Sequence, residues 1–385
     1  GSSELGREFL AHTDMMPVDV VKRNFTDERI QVLLLFKLSI FGTILYETVF
    51  DRSPTGTFTR ALAVKTTYEL CKGGSWNLAR GLMETYLAAG GHYRNQAEVA
   101  RIVVEGGRVT GVELSTGEQL RAGQFVASTL GPHQTFLEYV GAEQLPASLR
   151  ERIERFQYTS WGLFGAHYAL KQAPRYPAGQ DNPLVNRALK YHLGEETLAE
   201  IDAQHEAIVR GTFLRKPQFG GGALSVLDPS QAPNGYHTAY AWQPVPQVHE
   251  AVPAEIEAER EEHAARVIET WREYAPNMTR ENVLASYTYT PADYVRELPN
   301  MRYGDIFMGA FTGAQVMDNH FGYRSEIPGL YMAGSSVHPG GAISGGPGYV
   351  AAGVLAREYG FKRWWPEIRL EEHAEALRQA QVAVG

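Results

Sequence analysis

The chain carries a single cysteine, Cys71, so no internal disulfide and no cysteine-built metal cluster can form. It has no basic run, and a net charge of −8 argues against a nucleic-acid partner. No zinc motif and no Ser-His-Asp arrangement stands out. The most apolar part, residues 30–50, is broken by Lys37, Gly42 and Glu47, and therefore fails as a membrane span. No basic, then apolar, then small-residue start marks a secretory signal, so a cytoplasmic protein is expected. With these classes removed, 385 residues of ordinary composition, 44% hydrophobic and 21% charged, suit two domains around a large core.

The most informative stretch is 329–353, GLYMAGSSVHPGGAISGGPGYVAAG. Leu330-Tyr331-Met332-Ala333 reads as a short buried strand. Dense glycine follows, which costs backbone entropy that a tight turn or a bound ligand must offset. Pro347 suits the first turn of a helix, and the small-residue run from Val350 to Ala356 continues it. Strand, glycine loop and helix together aim free N–H groups and a positive helix terminus at an anionic or carbonyl-rich ligand. The same pattern also suits a β–α turn with no ligand.

The order of these residues resembles the C-terminal flavin-binding segment of the phytoene dehydrogenase-like oxidoreductases. That family includes carotenoid desaturases, carotene isomerases and retinol saturases, and it is related to the flavin amine oxidases. The matching residues are Gly329-Leu330-Tyr331, Gly334-Ser335, His338-Pro339-Gly340-Gly341 and Gly345-Gly346-Pro347-Gly348. The resemblance implies an FAD site at Gly334, Ser335, Pro339, Gly340, Gly341, Gly346, Pro347, Gly348 and Tyr349. It makes His338 the candidate catalytic side chain beside the flavin, with a loop-fixing hydrogen bond as its alternative role. The strand Ala97-Glu98-Val99-Ala100-Arg101-Ile102 is similar to the family's adenosine-contacting strand, which offers Val99 as a backbone contact or simply a core valine. Gly304-Asp305-Ile306 resembles an element just before the flavin strand. Asp305 would orient a loop near the flavin or cap a turn, and capping is favoured.

Elsewhere, residues 4–65 read as mostly helical. Within them, 30–50 reads as a buried helix pair, or alternatively as a tunnel wall or membrane-facing patch for a greasy substrate. A helix is expected at 76–89, closed by Gly90-Gly91, then strands at 97–104, 108–114 and 119–127. Further strands are expected at 161–170, 223–227 and 238–242, and a charged helix at 256–274. Thr290-Pro291-Ala292-Asp293 is a helix start, and 370–384 reads as a solvent-facing helix or frayed tail. The expected class is α/β with an α+β substrate domain, the two-domain architecture of FAD-linked oxidoreductases. The helical part of the substrate domain would span 1–65 and the rest of it 150–295. The cofactor domain would take 66–149 and 296–385.

The family opens with a strand, Gly-x-Gly-x-x-Gly and a helix that together hold the ADP half of FAD. No such unit occurs in these 385 residues. The cofactor domain is thus expected to be incomplete at its N-terminus. Three explanations fit: a truncated product, one chain of a two-chain enzyme whose complementary chain bears the GxGxxG unit, or a flavin-free descendant. The expected function is hydride transfer between a small, hydrophobic substrate and FAD, with peripheral membrane contact as an option. A flavin amine oxidase, a redox-neutral isomerase and a flavin-free scaffold are the alternatives.

Overall fold

The structure, a computed structural model, describes residues 7, 15–40, 45–46, 70–248, 258–312, 315, 320–341, 343 and 345–365. The helical reading of 4–65 is therefore met only at 15–40 and 45–46, and the tail at 370–384 lies outside the described residues.

Helices α1 (Pro17–Asn24) and α2 (Glu28–Ile40) come first. α1 has proline in its first turn, with Asp19 at its start and Lys22 and Arg23 at its end, matching the helix dipole. α2 buries Leu35, Phe36 and Leu38 but leaves Ile30 and Leu33 exposed, so only one side of this apolar helix is covered. Helix α3 (Trp76–Ala88) follows, and none of its residues is buried. Trp76 is 77% exposed and Leu82 64%, an unusual state for an apolar helix of this length, which gains little stability without packing.

The chain then forms an antiparallel meander of β1 (Val99–Glu105), β2 (Arg108–Leu114) and β3 (Gln119–Arg121). The strand expected over 119–127 is two strands. The backbone leaves the meander after Arg121 and re-pairs as β4 (Val126–Ser128) in a different sheet. A π-helical segment, His133–Gly141, and helix α4 (Ala147–Glu154) pack Phe136, Leu149 and Ile153 into one core with Ile102, Val109, Leu330 and Met332.

The second sheet has five strands. They are β5 (Trp161–Leu170), β6 (Tyr191–Leu193), β7 (Phe219–Gly222), β8 (His237–Pro246) and β9 (Val283–Tyr289), in the order β6-β7-β8-β5-β9. All neighbours in it are antiparallel. Helix α5 (Leu198–Arg210) lies between β6 and β7 in sequence, with a Thr197/Glu200 capping box and a left-handed Gly211 at its end. One face of the sheet carries Phe164, Ala166, Tyr168 and Leu170. It packs on Val267 and Trp271 of helix α6 (Arg260–Tyr274). The opposite face carries Trp161 and Leu163, which join α1, α2, Ile201 and Phe307 in a second core.

The expected strand at 223–227 is absent: Leu224–Val226 is a single 3-10 turn. The strand is Phe219 with Gly220-Gly221-Gly222, paired on both sides by β6 and β8. Glycine is a poor strand former, and here the ladder on either side overrides that preference.

Helix α7 (Pro291–Glu297) begins with the expected Thr290 cap and Asp293 in a capping box. Buried Asp305 then accepts hydrogen bonds from the backbone N–H groups of Thr159 (3.0 Å), Phe307 (2.9 Å) and Gly309 (3.0 Å). It caps its own turn and ties that turn to the start of β5. Finally β10 (Leu330–Met332) pairs in parallel with β4, and helix α8 (Gly346–Tyr359) closes the described chain. No described helix is long and apolar enough to cross a membrane.

Candidate functional site

β10 is a buried strand of three residues held on both edges. On one side it pairs with β4, and on the other Arg324 bridges Tyr331. Among the described residues β4 is the outer strand of that two-stranded parallel sheet, and Ala127 at its centre is exposed. Parallel sheets are normally covered on both faces and joined by helical crossovers. Among the described residues this parallel pair lacks that cover along the outer edge of β4.

The loop leaving β10 is fixed by close packing. A Cβ on Gly334 would run into the Thr129 carbonyl at the end of β4, so only glycine lets the two strand ends approach this closely. Gly340 has φ +89°, and a Cβ there would lie 2.8 Å from the Phe311 ring, so it too must be glycine. Gly341 folds back beside Ser335. His338 and Pro339 stand exposed at the loop's outside, joined by a cis peptide, and the His338 carbonyl accepts from the Tyr323 hydroxyl. The His338 ring lies 5.5 Å from that of His320.

α8 starts as the sequence predicts. Gly345 is left-handed at φ 68°, Pro347 sits in the first turn, and the chain turns directly into the helix. At the far end Tyr331 donates to Glu358 across 2.5 Å, and Arg324 pairs with the same carboxylate. The helix N-terminus therefore lies at the opposite end from this anchor, about 18 Å away at 1.5 Å per residue. Gly346 is half-buried and Pro347 buried, whereas Gly348 and Tyr349 are exposed. A Cβ built on Gly348 would meet nothing within 4 Å. The first turn thus opens onto free space, with its leading backbone N–H groups unused by the helix itself.

Of the expected site residues, Gly334, Ser335, His338, Pro339, Gly340 and Gly341 share one loop, and Gly346, Pro347, Gly348 and Tyr349 share one helix start. Val99 opens β1 opposite Leu114. No hydrogen bond or ring contact among the described residues joins Val99 to the loop.

Two groups of residues near the loop escape a linear reading. The first surrounds Gly131, just past β4. A Cβ there would lie 3.5 Å from the Tyr158 hydroxyl and 3.6 Å from Ser336 Oγ. Tyr158 is hydrogen-bonded to His133 Nδ1 at 3.1 Å. Burial and the nearby Arg302 push the His133 pKa down to about 4, so its imidazole is neutral at pH 7. Ser336 Oγ is buried without a hydrogen-bond partner among the described residues. Gly131 belongs to Thr129-Leu130-Gly131-Pro132, a loop that resembles the family segment returning beside the cofactor; His133, Tyr158 and Ser336 come from separate elements, and no local pattern announces them.

The second is the sheet face that carries Trp161. The register puts Gly165, His167, Tyr240, Trp242, Tyr287 and Tyr289 on it, from three adjacent strands. Ring centroids of Tyr240 and Trp242 lie 5.1 Å apart, and those of Tyr287 and Tyr289 4.6 Å apart. Trp242 is 37% and Tyr287 55% exposed, so this is an open aromatic floor. The alternation Tyr240-x-Trp242 and Tyr287-x-Tyr289 is the signal that could have identified it. Trp161 touches Phe307, Phe307 touches Phe311, and Phe311 covers Gly340, so the floor is connected to the glycine loop by packed rings.

Among known proteins, the chain is similar to a subunit of the limonene dehydrogenase of Castellaniella defragrans, 27% identical over 95% of this chain and 68% of that protein. It is 27% identical to a lycopene-forming phytoene desaturase of a Paracoccus species, over 71% of this chain and 52% of the relative. It thus spans about two thirds of the first relative and about half of the second. In fold it resembles putrescine oxidase, with TM-score 0.53 and 13% identity over 92% of this chain and 70% of that one. No family model matches. The sequence likenesses bear out the resemblance to the phytoene dehydrogenase-like FAD-dependent oxidoreductases: in sequence the chain is similar to dehydrogenases and desaturases of that kind, and in fold it resembles the FAD-linked oxidoreductases.

Proposed function

We propose that this chain forms the ring-side and substrate-side parts of an FAD-dependent oxidoreductase of the desaturase or dehydrogenase type. The observation that carries the reading is the unit β10–loop–α8. It combines a loop compressed onto β4 with a helix N-terminus facing open space at Gly348. Those features fit an isoalloxazine ring, because backbone N–H groups and the positive helix end suit its carbonyl-rich edge. The cofactor supplies hydride acceptance from carbon. Gly334, Ser335, Pro339, Gly340 and Gly341 would shape one side of its seat, Gly346, Pro347, Gly348 and Tyr349 the other, and Val99 would meet the adenosine. The segments 66–149 and 296–385 would form the cofactor domain and 150–295 the body of the substrate domain.

The aromatic face of the five-stranded sheet would hold the substrate and exclude water from it. Its composition favours an apolar compound. The names of the two relatives, a phytoene desaturase and one chain of a limonene dehydrogenase, support that choice. The bare edge of β4 and the uncovered apolar helix α3 support a second requirement. A strand–GxGxxG–helix unit from outside these 385 residues would complete the layer, on a partner chain or on a further stretch of the same protein. The limonene dehydrogenase relative is named as one of several subunits, which favours a partner. The amine oxidase alternative rests on the putrescine oxidase fold alone.

The helix terminus gives the test. Gly348→Asp places negative charge in the first turn of α8, against the charge that reduction adds to the bound ring. A helix terminus contributes about 0.3–1 kcal/mol toward a nearby anion, and about 2 when partly buried. Opposing it should lower the flavin midpoint potential of the complemented enzyme by some tens of millivolts. Gly348→Ala should leave the potential unchanged, since its Cβ meets no protein atom. Equal potentials for the aspartate variant and the parent would remove the flavin from this helix.

His338 is proposed to flank the ring or the substrate. His338→Ala should lower turnover or alter the visible spectrum of the bound flavin while the thermal melt stays nearly unchanged, because the side chain is exposed and its carbonyl makes the loop bond. Unchanged kinetics and spectrum would leave it a loop residue only.

A further inference from the structure

The aromatic floor has a basic corner at its β6 end. Lys190 and His192 are two residues apart across the start of β6, so both side chains rise from the face that carries Tyr240 and Trp242. Between β6 and those aromatics runs β7, and there the chain places glycine at both facing positions, Gly220 and Gly222. The missing side chains leave room for the Lys190 stem to cross the sheet. Its Nζ stands 3.0 Å from where a Cβ of Gly220 would lie, and the Phe36 ring stands 3.2 Å from the same point. The ammonium thus ends over β7, one strand from Trp242. Phe36 in turn meets the His192 ring edge-on, centroids 4.4 Å apart.

No acid or hydrogen-bond acceptor among the described residues pairs with the Lys190 ammonium, and His192 Nδ1 is buried without a partner. The neighbouring charges make this worse. Lys37, on α2 beside Phe36, repels both groups. The buried acid of the same segment, Glu195, feels Glu200 rather than Lys190, and burial pushes its carboxyl well up. Burial, helped by Lys37, brings the Lys190 pKa down to about 8, so the amine is still mostly charged at pH 7. Part-buried charges are normally paired, because desolvation without a partner is costly. Nothing described in the fold offsets that cost here, and an anion on the floor would.

We propose that the Lys190 corner binds the carboxylate of an otherwise apolar substrate whose body lies along Trp242 and Tyr240. The inference rests on the floor's being the substrate surface, as proposed above, and it names the end group that orients the molecule there. A carboxylate fits better than a phosphate. The corner offers one ammonium and one imidazole, with no guanidinium fork and no cluster of backbone donors. Lys190 would be a binding and orienting residue for the polar end of the substrate.

The test needs no flavin, so its outcome is separable from that of the redox assignment. Decanoate and decan-1-ol share a chain length and differ in charge. Titrated calorimetrically against the unmodified chain at pH 7 and fixed salt, decanoate should bind at least about tenfold tighter, the size of one charge-assisted hydrogen bond. Lys190→Met keeps the stem over Gly220 and removes the charge. It should cost decanoate about tenfold, leave decan-1-ol unchanged and leave the melt intact or raised. Lys190→Arg should retain the preference for the acid. The proposal is overturned by equal binding of the two probes, by no decanoate binding below millimolar concentration, or by a Lys190→Met variant that weakens both probes alike. Decyl phosphate binding more than tenfold tighter than decanoate would overturn the choice of carboxylate.

Discussion

Replacing Asp305 by alanine should lower the unfolding free energy by about 3–5 kcal/mol. Three backbone N–H groups converge on this fully buried carboxylate, from Thr159, Phe307 and Gly309. Alanine would leave all three without an acceptor, and each buried donor so orphaned costs about 1–3 kcal/mol. The loss would spread. Thr159 leads into β5, and Phe307 connects Trp161 on the sheet to Phe311 over Gly340, so loosening the turn should also loosen the glycine loop. Asp305→Asn separates the terms. Oδ2 accepts two of the bonds and Oδ1 one, so an amide oxygen in the first place keeps two bonds and sets its NH2 group against the Phe307 N–H. Its cost should be roughly half that of alanine. Urea unfolding with an unchanged slope is the measurement. A loss for alanine below about 1 kcal/mol would mean that water satisfies these donors and that the turn is not the hinge between loop and sheet.

What is legible in the sequence is local. β10, the loop and the start of α8 are consecutive, and their glycines and Pro347 act within a few residues of themselves. The α7 cap at Thr290 and the strand at 161–170 are readable for the same reason. The third strand differs from its expectation because its end is decided by a distant partner: β4 exists only by pairing with β10, some two hundred residues later. β7 is hidden because three glycines hold a strand only when ladders form on both sides. Helix α5 goes unpredicted, though its Thr197-x-x-Glu200 capping box is present in the sequence. The His133–Tyr158 pair and the Lys190 corner cannot be read at all, and the aromatic floor shows in the sequence only as two separate alternations, Tyr240-x-Trp242 and Tyr287-x-Tyr289. Each is assembled from separate elements: sheet register brings the floor and the corner to one face, and packing of the π-helical segment against the turn before β5 joins His133 to Tyr158.

The central claim is that this chain holds one half of a flavin site. The ring end would be seated by the β10–loop–α8 unit, while the ADP end needs glycines that let a backbone approach the pyrophosphate and an acidic residue for the ribose. The sequence contains no strand–GxGxxG–helix to supply them. Without that unit the ADP half would lie in water, its binding energy forfeited, and the bare edge of β4 would stay unpaired. Adding a strand there would restore main-chain pairing, and a helix following it would cover part of the exposed layer. The direct measurement is FAD bound per chain after gel filtration, for the chain alone and for the chain co-purified with a protein segment bearing the strand–GxGxxG–helix unit of a family member. The account predicts far less than one FAD per lone chain, rising close to one in the complex. Full, tight loading of the lone chain, or no gain on complementation by a unit that binds it, would contradict the account.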